Sequence, residues 1–219
     1  MKDVKEVLRF LKKYERYNTF DDYHTTGNQD TVYQYYLVLH YILNMFPEKD
    51  KEDMRIMDVG CRYGYFIDVL SKLGYKRAIG IDKRDWAKKA KEYNINTEMV
   101  DALEISSYFK REFFDLISAI YFFHYDMKKE FVAYDGVFRD VDDWIVYIFS
   151  EVHKVLKKEG VFICDPQIIL PIARIENIGF KVKYKIEKDM VYEIDIVKEK
   201  YKRKEKVEAR KDFFVFEKI

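Results

Sequence analysis

The chain has 219 residues, enough for one well-buried core and short for two. Apolar content of 48% and aromatic content of 17% exclude a disordered chain, and a net charge of +1 gives no global field drawing it to nucleic acid. Cys61 and Cys164 make neither a disulfide framework nor a metal-ligand spacing, no apolar run is long enough to span a bilayer, and no secretory leader opens the sequence. A cytoplasmic protein with no metal site and no membrane partner is the expectation. Charged residues reach 36% while Gln occurs three times and Thr five, a bias seen in heat-adapted proteins.

Residues 1–50 read as a helical cover. Val4, Val7, Leu8, Leu11 and Tyr14 fall on one helical stripe, and a second helix opens at Asp30, whose carboxylate can cap its first turn. The loop between them carries Tyr23, His24 and Asn28. Beyond Pro47 a repeating alternation sets in. "MRIMDV" is a short strand, "YFIDVLSKL" has helical spacing, "RAIGID" is a strand, "DWAKKAKEYN" a helix and "INTEMVDA" a strand. "FFDLISAI" is a strongly apolar strand, "DDWIVYIFSEVHKVLKK" a helix stopping at Gly160, and "VFICD" a buried strand. Strands alternating with helices predict a parallel sheet covered on both faces. In the last fifty residues, "IILPIARIENIGF" reads as a helix with Pro171 in its first turn or kinking it. "KVKYKIE", "MVYEIDIV" and "DFFVFEKI" alternate with period two, as antiparallel strands at one side of the sheet do. One domain is expected, with a cover over 1–50, a core over 51–170 and C-terminal strands over 171–219.

The strand-to-helix corner "MDVGCRYGYF" is the first candidate site, because helix N-termini meet ligands at the C-terminal ends of such strands. A triphosphate cradle needs GxxxxGK[ST] and a dinucleotide fingerprint needs GxGxxG. Gly60-Cys61-Arg62-Tyr63-Gly64 supplies neither. Asp58, just before the turn, repels a pyrophosphate and suits a ligand with positive charge near its middle, such as S-adenosylmethionine.

From about residue 54 to 166 the sequence resembles the class I S-adenosylmethionine-dependent methyltransferases. Their first motif, (D/E)xGxGxG, is matched by Asp58-Val59-Gly60-Cys61-Arg62-Tyr63-Gly64. Asp82 matches the acid that ends their second strand, Asp101-Ala102 the acid and small residue after their third, and "FDLISAIYFFHYD" their fourth strand. "EVHKVLKKEGVFICD" follows their "EixRvLkpGGxlxx". The resemblance implies a Rossmann-like α/β fold: a seven-stranded, mostly parallel sheet with an antiparallel last strand, helices on both faces and an N-terminal helical cover. It implies S-adenosylmethionine as cofactor. Asp58, Gly60, Cys61 and Gly64 would lie about its amino-acid part, Asp82 at its ribose, Lys83, Asp101 and Ala102 at its adenine, and Ala119 at the end of the fourth strand beside it. Two positions depart from the pattern: Arg62 replaces the middle glycine, and Lys83 replaces an apolar residue.

His124 and Tyr121 follow the fourth strand where a methyl acceptor arrives, as candidates for a base or positioning group. A structural histidine is the competing reading, since methyl transfer can run on proximity alone. The segment 125–144, with Phe131, Tyr134, Phe138 and Trp144, is long for the family and either lines an acceptor pocket or forms a plain lid. A small-molecule acceptor is the first expectation, with RNA or protein behind it. A non-catalytic protein on the same fold is the rival, and an NAD-dependent oxidoreductase a further one. The run "KEKYKRKEKVEARK" (198–211) carries eight basic and three acidic side chains and reads first as a solvated β-connection, with a nucleic-acid contact as the alternative.

Overall fold

The computed structural model describes residues 38, 39, 42, 46, 50–123, 136–166, 168–186, 191–198, 201–208 and 213–219. In chain order the elements are β1 (Arg55–Val59), α1 (Tyr65–Lys72), β2 (Arg77–Asp82), α2 (Trp86–Glu92), β3 (Thr97–Met99), α3 (Ile105–Tyr108) and β4 (Phe114–Ala119). After these come α4 (Val141–Val155), β5 (Leu156–Cys164), α5 (Ile172–Glu176), β6 (Phe180–Ile186), β7 (Val191–Lys198), β8 (Tyr201–Glu208) and β9 (Phe213–Lys218). Nearly all of the expected N-terminal cover lies outside the described residues; Val38, Leu39 and Ile42 are helical and buried.

Seven strands form one sheet in the order β3-β2-β1-β4-β5-β9-β6, and β7 pairs only with β8. β9 runs antiparallel to both β5 and β6, so the other six strands are mutually parallel. Burial on both faces explains the continuous apolar strands. Ile56, Leu116, Val161, Ile163 and Val215 face a core shared with α1. Met57, Ile117, Phe162 and Phe216 face the core under α4. All six residues of β4 are buried. The helices bury single stripes: Phe66, Ile67, Val69 and Leu70 from α1, and Trp144, Ile145, Ile148, Phe149, Val152 and Val155 from α4. Asp140 starts α4 by accepting the Asp143 N–H at 2.7 Å.

Three boundaries differ from the sequence expectation. α4 stops at Val155 and not at Gly160, because the buried Leu156 pairs with Phe114 and the register then jumps to Leu116 opposite Val161. Glu159, at φ 60, turns the chain within that jump. Pro171 is the residue before α5 and not within it, so its missing N–H costs no helical bond. Of the three period-two C-terminal segments, only those of β6 and β9 join the main sheet. "MVYEIDIV" pairs instead with β8, a strand inside the run read as a connection.

Lys218 ties these pieces together. It is 8% exposed, and its ammonium donates to the carbonyls of His153 at 3.0 Å and Leu156 at 2.9 Å and to Glu112 at 3.2 Å. The first two bonds satisfy carbonyls at the negative end of α4. Lys218→Met leaves those carbonyls buried without a charged donor. We expect it to lower the unfolding free energy by about 2–4 kcal/mol in a urea titration.

Candidate functional site

A cleft opens at the C-terminal ends of β1 to β4. Its apolar wall is made by Val59, Ile81, Val100, Ala102, Phe122 and Trp144. Asp82 and Asp101 supply carboxylates, and Arg62, Lys83, Arg84, Trp86 and Tyr121 complete the rim. The topology puts these together: parallel strands end at one edge, and every turn leaving that edge contributes.

The turn after β1 is held from within. The N–H groups of Gly60 and Cys61 both donate to the Ile81 carbonyl, at 2.8 and 3.0 Å, and that of Gly64 donates to the Cys61 carbonyl at 2.8 Å. The Arg62 N–H donates to Asp82 Oδ2 at 3.0 Å, and the Arg84 N–H to Asp82 Oδ1 at 2.9 Å. Four N–H groups of the turn are therefore spent inside the protein, and a pyrophosphate would find them taken. What the turn does offer is close approach. Gly60 has φ 74, and a Cβ there would lie 2.7 Å from Phe122 Cδ2. Arg62 adopts φ 52, a left-handed conformation costing about 1 kcal/mol for a non-glycine residue, which its bond to Asp82 helps offset.

Asp82 thus serves two ends. Oδ2 fixes the glycine turn to the end of β2, Oδ1 holds the turn that follows β2, and the carboxylate lines the cleft with 8% exposure. Burial pushes its carboxyl above the usual carboxylate range, against the N–H bonds from Arg84 and Arg62 that pull it down. Asp101 caps the turn after β3 by accepting the Leu103 N–H at 3.0 Å. On the far side, Tyr121 has φ 57, uncommon for an aromatic residue, and its N–H donates at 2.6 Å to the fully buried Asp165. A chain distorted at a cleft by a buried carboxylate is a feature of functional sites.

The residues named from the sequence separate here. Gly60, Asp82, Lys83, Asp101, Ala102 and Tyr121 line the cleft. Asp58 is buried beneath it and accepts the Ser118 hydroxyl at 2.7 Å across β1 and β4. Gly64 caps α1 and faces Ile95 and Thr97, where a Cβ would come within 2.7 Å of each. Ala119 is in the core under α4. Cys61 is turned onto Gly80, with its Sγ 2.6 Å from where a Cβ at position 80 would stand. His124 and residues 125–135 lie outside the described residues. Sequence reasoning did not assign Arg84, Trp86 or Phe122 to the cleft. The position of Arg84 and Trp86, two and four residues past the acid that ends β2, was the available signal.

Burial drives both thiols well above their ordinary value, most strongly through lost hydration, with Asp58 and Asp82 adding to the effect at Cys61 and Asp165 at Cys164. Native protein is expected to resist alkylation by iodoacetamide at neutral pH and to take up two labels once unfolded, as mass spectrometry would read directly.

The apolar slot with two carboxylates fits a nucleoside: Asp82 offers an acceptor for ribose hydroxyls and Asp101 one for an exocyclic amine. Such a cleft at the β1–β4 edge of a β3-β2-β1-β4-β5-β9-β6 sheet belongs to a Rossmann-like α/β fold. A methyltransferase-domain family model matches residues 32–128. A ribosomal protein L11 methyltransferase of Clostridium perfringens is 28% identical over 136 residues, 60% of this chain and 39% of the relative, so the chain spans well under half the length of that curated relative. A solved protein of Pyrococcus horikoshii superposes with a TM-score of 0.57 at 16% identity, covering 94% of this chain and 99% of its own. An Archaeoglobus fulgidus SAM-dependent methyltransferase gives 0.53 at 15% identity, covering 90% and 100%. Residues 32–128 are thus similar to a methyltransferase domain, and the fold is that of solved proteins described as SAM-dependent methyltransferases. Among the described residues no helix is long and apolar enough to cross a membrane.

Proposed function

We propose that this domain transfers a methyl group from S-adenosylmethionine to an acceptor that enters beside Tyr121 and Trp144. The observation that carries the reading is Asp82: a buried carboxylate at the end of β2, fixed by two backbone N–H groups and open to a cleft whose glycine turn already spends four of its N–H groups inside the protein. An acid at the end of β2 could hold the ribose of NAD as well, but the four spent N–H groups of the turn and the missing GxGxxG disfavour an NAD-dependent oxidoreductase. When bound, the donor supplies an electrophilic methyl: the acceptor's lone pair forms the new bond as the carbon–sulfur pair returns to sulfur. The chain's own part is to bind and align. Asp82 accepts from the ribose hydroxyls, Asp101 from the adenine amine, and Ala102, Val100 and Phe122 form the apolar slot for the ring. Tyr121, held by Asp165, fixes the wall that faces the acceptor. Proximity and exclusion of water account for the rate, with the acceptor's proton leaving to solvent. The acceptor group is small and uncharged, because Tyr121, Phe122 and Trp144 border its approach; a small molecule meets that description.

Calorimetric titration with S-adenosylmethionine and S-adenosylhomocysteine, with NAD as control, tests the reading. Saturable binding of both sulfur ligands with none of NAD supports it. No heat from either, in protein that melts cooperatively, would replace it with a non-catalytic protein on the same fold.

A further inference from the structure

Trp144 lines the cleft while only 3% exposed, and its indole N–H is buried without a hydrogen-bond partner among the described residues. An indole offers a donor and no acceptor, so only an acceptor atom can satisfy it. Folded proteins rarely leave such a group unpaired, because its bond to water is lost on burial and nothing replaces it. At the wall of a cleft, that cost is one a bound acceptor atom would remove.

The start of α4 holds the ring in place. The backbone N–H of Trp144 donates to the Asp140 carbonyl at 3.3 Å. The neighbouring Asp143 carboxylate accepts from Arg139, Nε at 2.7 Å and Nη2 at 3.2 Å, and from Arg174 of α5. Trp144 packs in the core that contains Val59, Ile81, Val100 and Ala102, whereas Tyr121 packs against the core on the α1 side. α4 also lies against the turn Ala102–Glu104 that follows Asp101. The indole therefore belongs to the apolar slot and its Asp101 end, across the cleft from the Tyr121 wall.

A purine meeting this end has to set a donor at Asp101 and an acceptor at Trp144. Adenine carries an amine with an acceptor nitrogen on either side of it, N1 and N7. Guanine carries a carbonyl where that amine stands, and would turn an acceptor against the Asp101 carboxylate.

We propose that Trp144 is a specificity-determining residue for the methyl donor, its indole N–H donating to N1 or N7 of the adenine whose amine donates to Asp101. The assignment rests on the donor-site reading above. Calorimetry with S-adenosylhomocysteine and its 1-deaza and 7-deaza analogues, on the wild type and Trp144→Phe, tests it. Trp144→Phe is expected to bind the parent ligand about 10-fold more weakly, the loss of one hydrogen bond. One of the two analogues should bind the wild type about 10-fold more weakly than the parent does, and bind wild type and variant alike. The chain has two tryptophans, so Trp86→Phe leaves Trp144 as the sole indole signal in a nitrogen–proton correlation spectrum. The parent ligand should move that proton downfield, and the same weak analogue should not. Ring stacking is common to both ligands and cancels in the comparison. Should Trp144→Phe fail to fold, the spectra decide alone. An equal loss for all three ligands in the variant, no loss for any, or one indole shift common to all three would overturn the proposal and leave the donor reading standing. If none of the three binds the folded wild type, both readings fall.

Discussion

Asp82→Ala should weaken S-adenosylhomocysteine binding by about 100-fold, the loss of two hydrogen bonds to an ionised acceptor at roughly 1.5 kcal/mol each. Calorimetry reads this on protein whose melt shows it folded. Asn is not a mild replacement here. Both Asp82 oxygens accept backbone N–H groups, from Arg62 and Arg84, so an Asn amide must turn its NH2 against one of them. Asp82→Asn is therefore expected to lose nearly as much affinity as Ala and to destabilise the fold by about 1–3 kcal/mol. The pH dependence carries its own signature. Burial, the largest cause, raises the Asp82 carboxyl above its ordinary value, so ionisation costs folding free energy above that value, and the cost is relieved as pH falls through it. Ligand affinity needs the ionised form and moves the other way. It should decline on acidification at a higher pH than an ordinary aspartate would give, while this group's contribution to fold stability improves. Retention of affinity in Asp82→Ala would remove the ribose from this end of the cleft.

The alternation of strands and helices was legible because each apolar run had one physical cause. β4 is buried on both faces and reads as "FDLISA", and α1 buries one stripe and reads with helical spacing. The acids at the ends of β2 and β3 were legible for a related reason: a carboxylate closing an apolar strand has no role in the core. Long-range pairing was not legible. Nothing local in "VLKK" reports that Leu156 will pair with Phe114, and helix-forming lysines there mislead until the sheet captures them. Nor does the motif say which way a side chain turns. Cys61 sits between two residues of the turn, yet the vacancy at Gly80 on the next strand draws it behind the cleft. Asp58 precedes the turn, but Ser118 on β4 occupies it. In both cases the deciding partner is a neighbouring strand, twenty or sixty residues away. The basic run at 198–206 was visible as charge, while its pairing with "VYEIDIVK" as a separate two-stranded unit depended on register.

Gly60→Ala is expected to reduce S-adenosylhomocysteine affinity by roughly 10- to 100-fold with a stability cost of about 1 kcal/mol. The stability cost comes from φ 74, which an alanine occupies under strain. The affinity cost comes from space. A methyl at position 60 would stand 2.7 Å from Phe122 Cδ2, so either the ring swings or the turn shifts. The Phe122 ring is the end of a half-buried side chain, packed edge-on against Phe123 at 5.1 Å, and it can yield where backbone could not. Two causes for the lost affinity are then possible, and Phe122→Ala separates them. If the methyl acts only by displacing the ring, the double variant has room for both and recovers the affinity of Phe122→Ala alone. If the methyl stands where the donor itself must lie, removing the ring restores nothing. The second outcome is expected, because Gly60 itself lines the cleft beside Asp82 and Val59. Full recovery in the double variant would place Gly60 outside the ligand's path and move the donor toward Asp101 and Trp144.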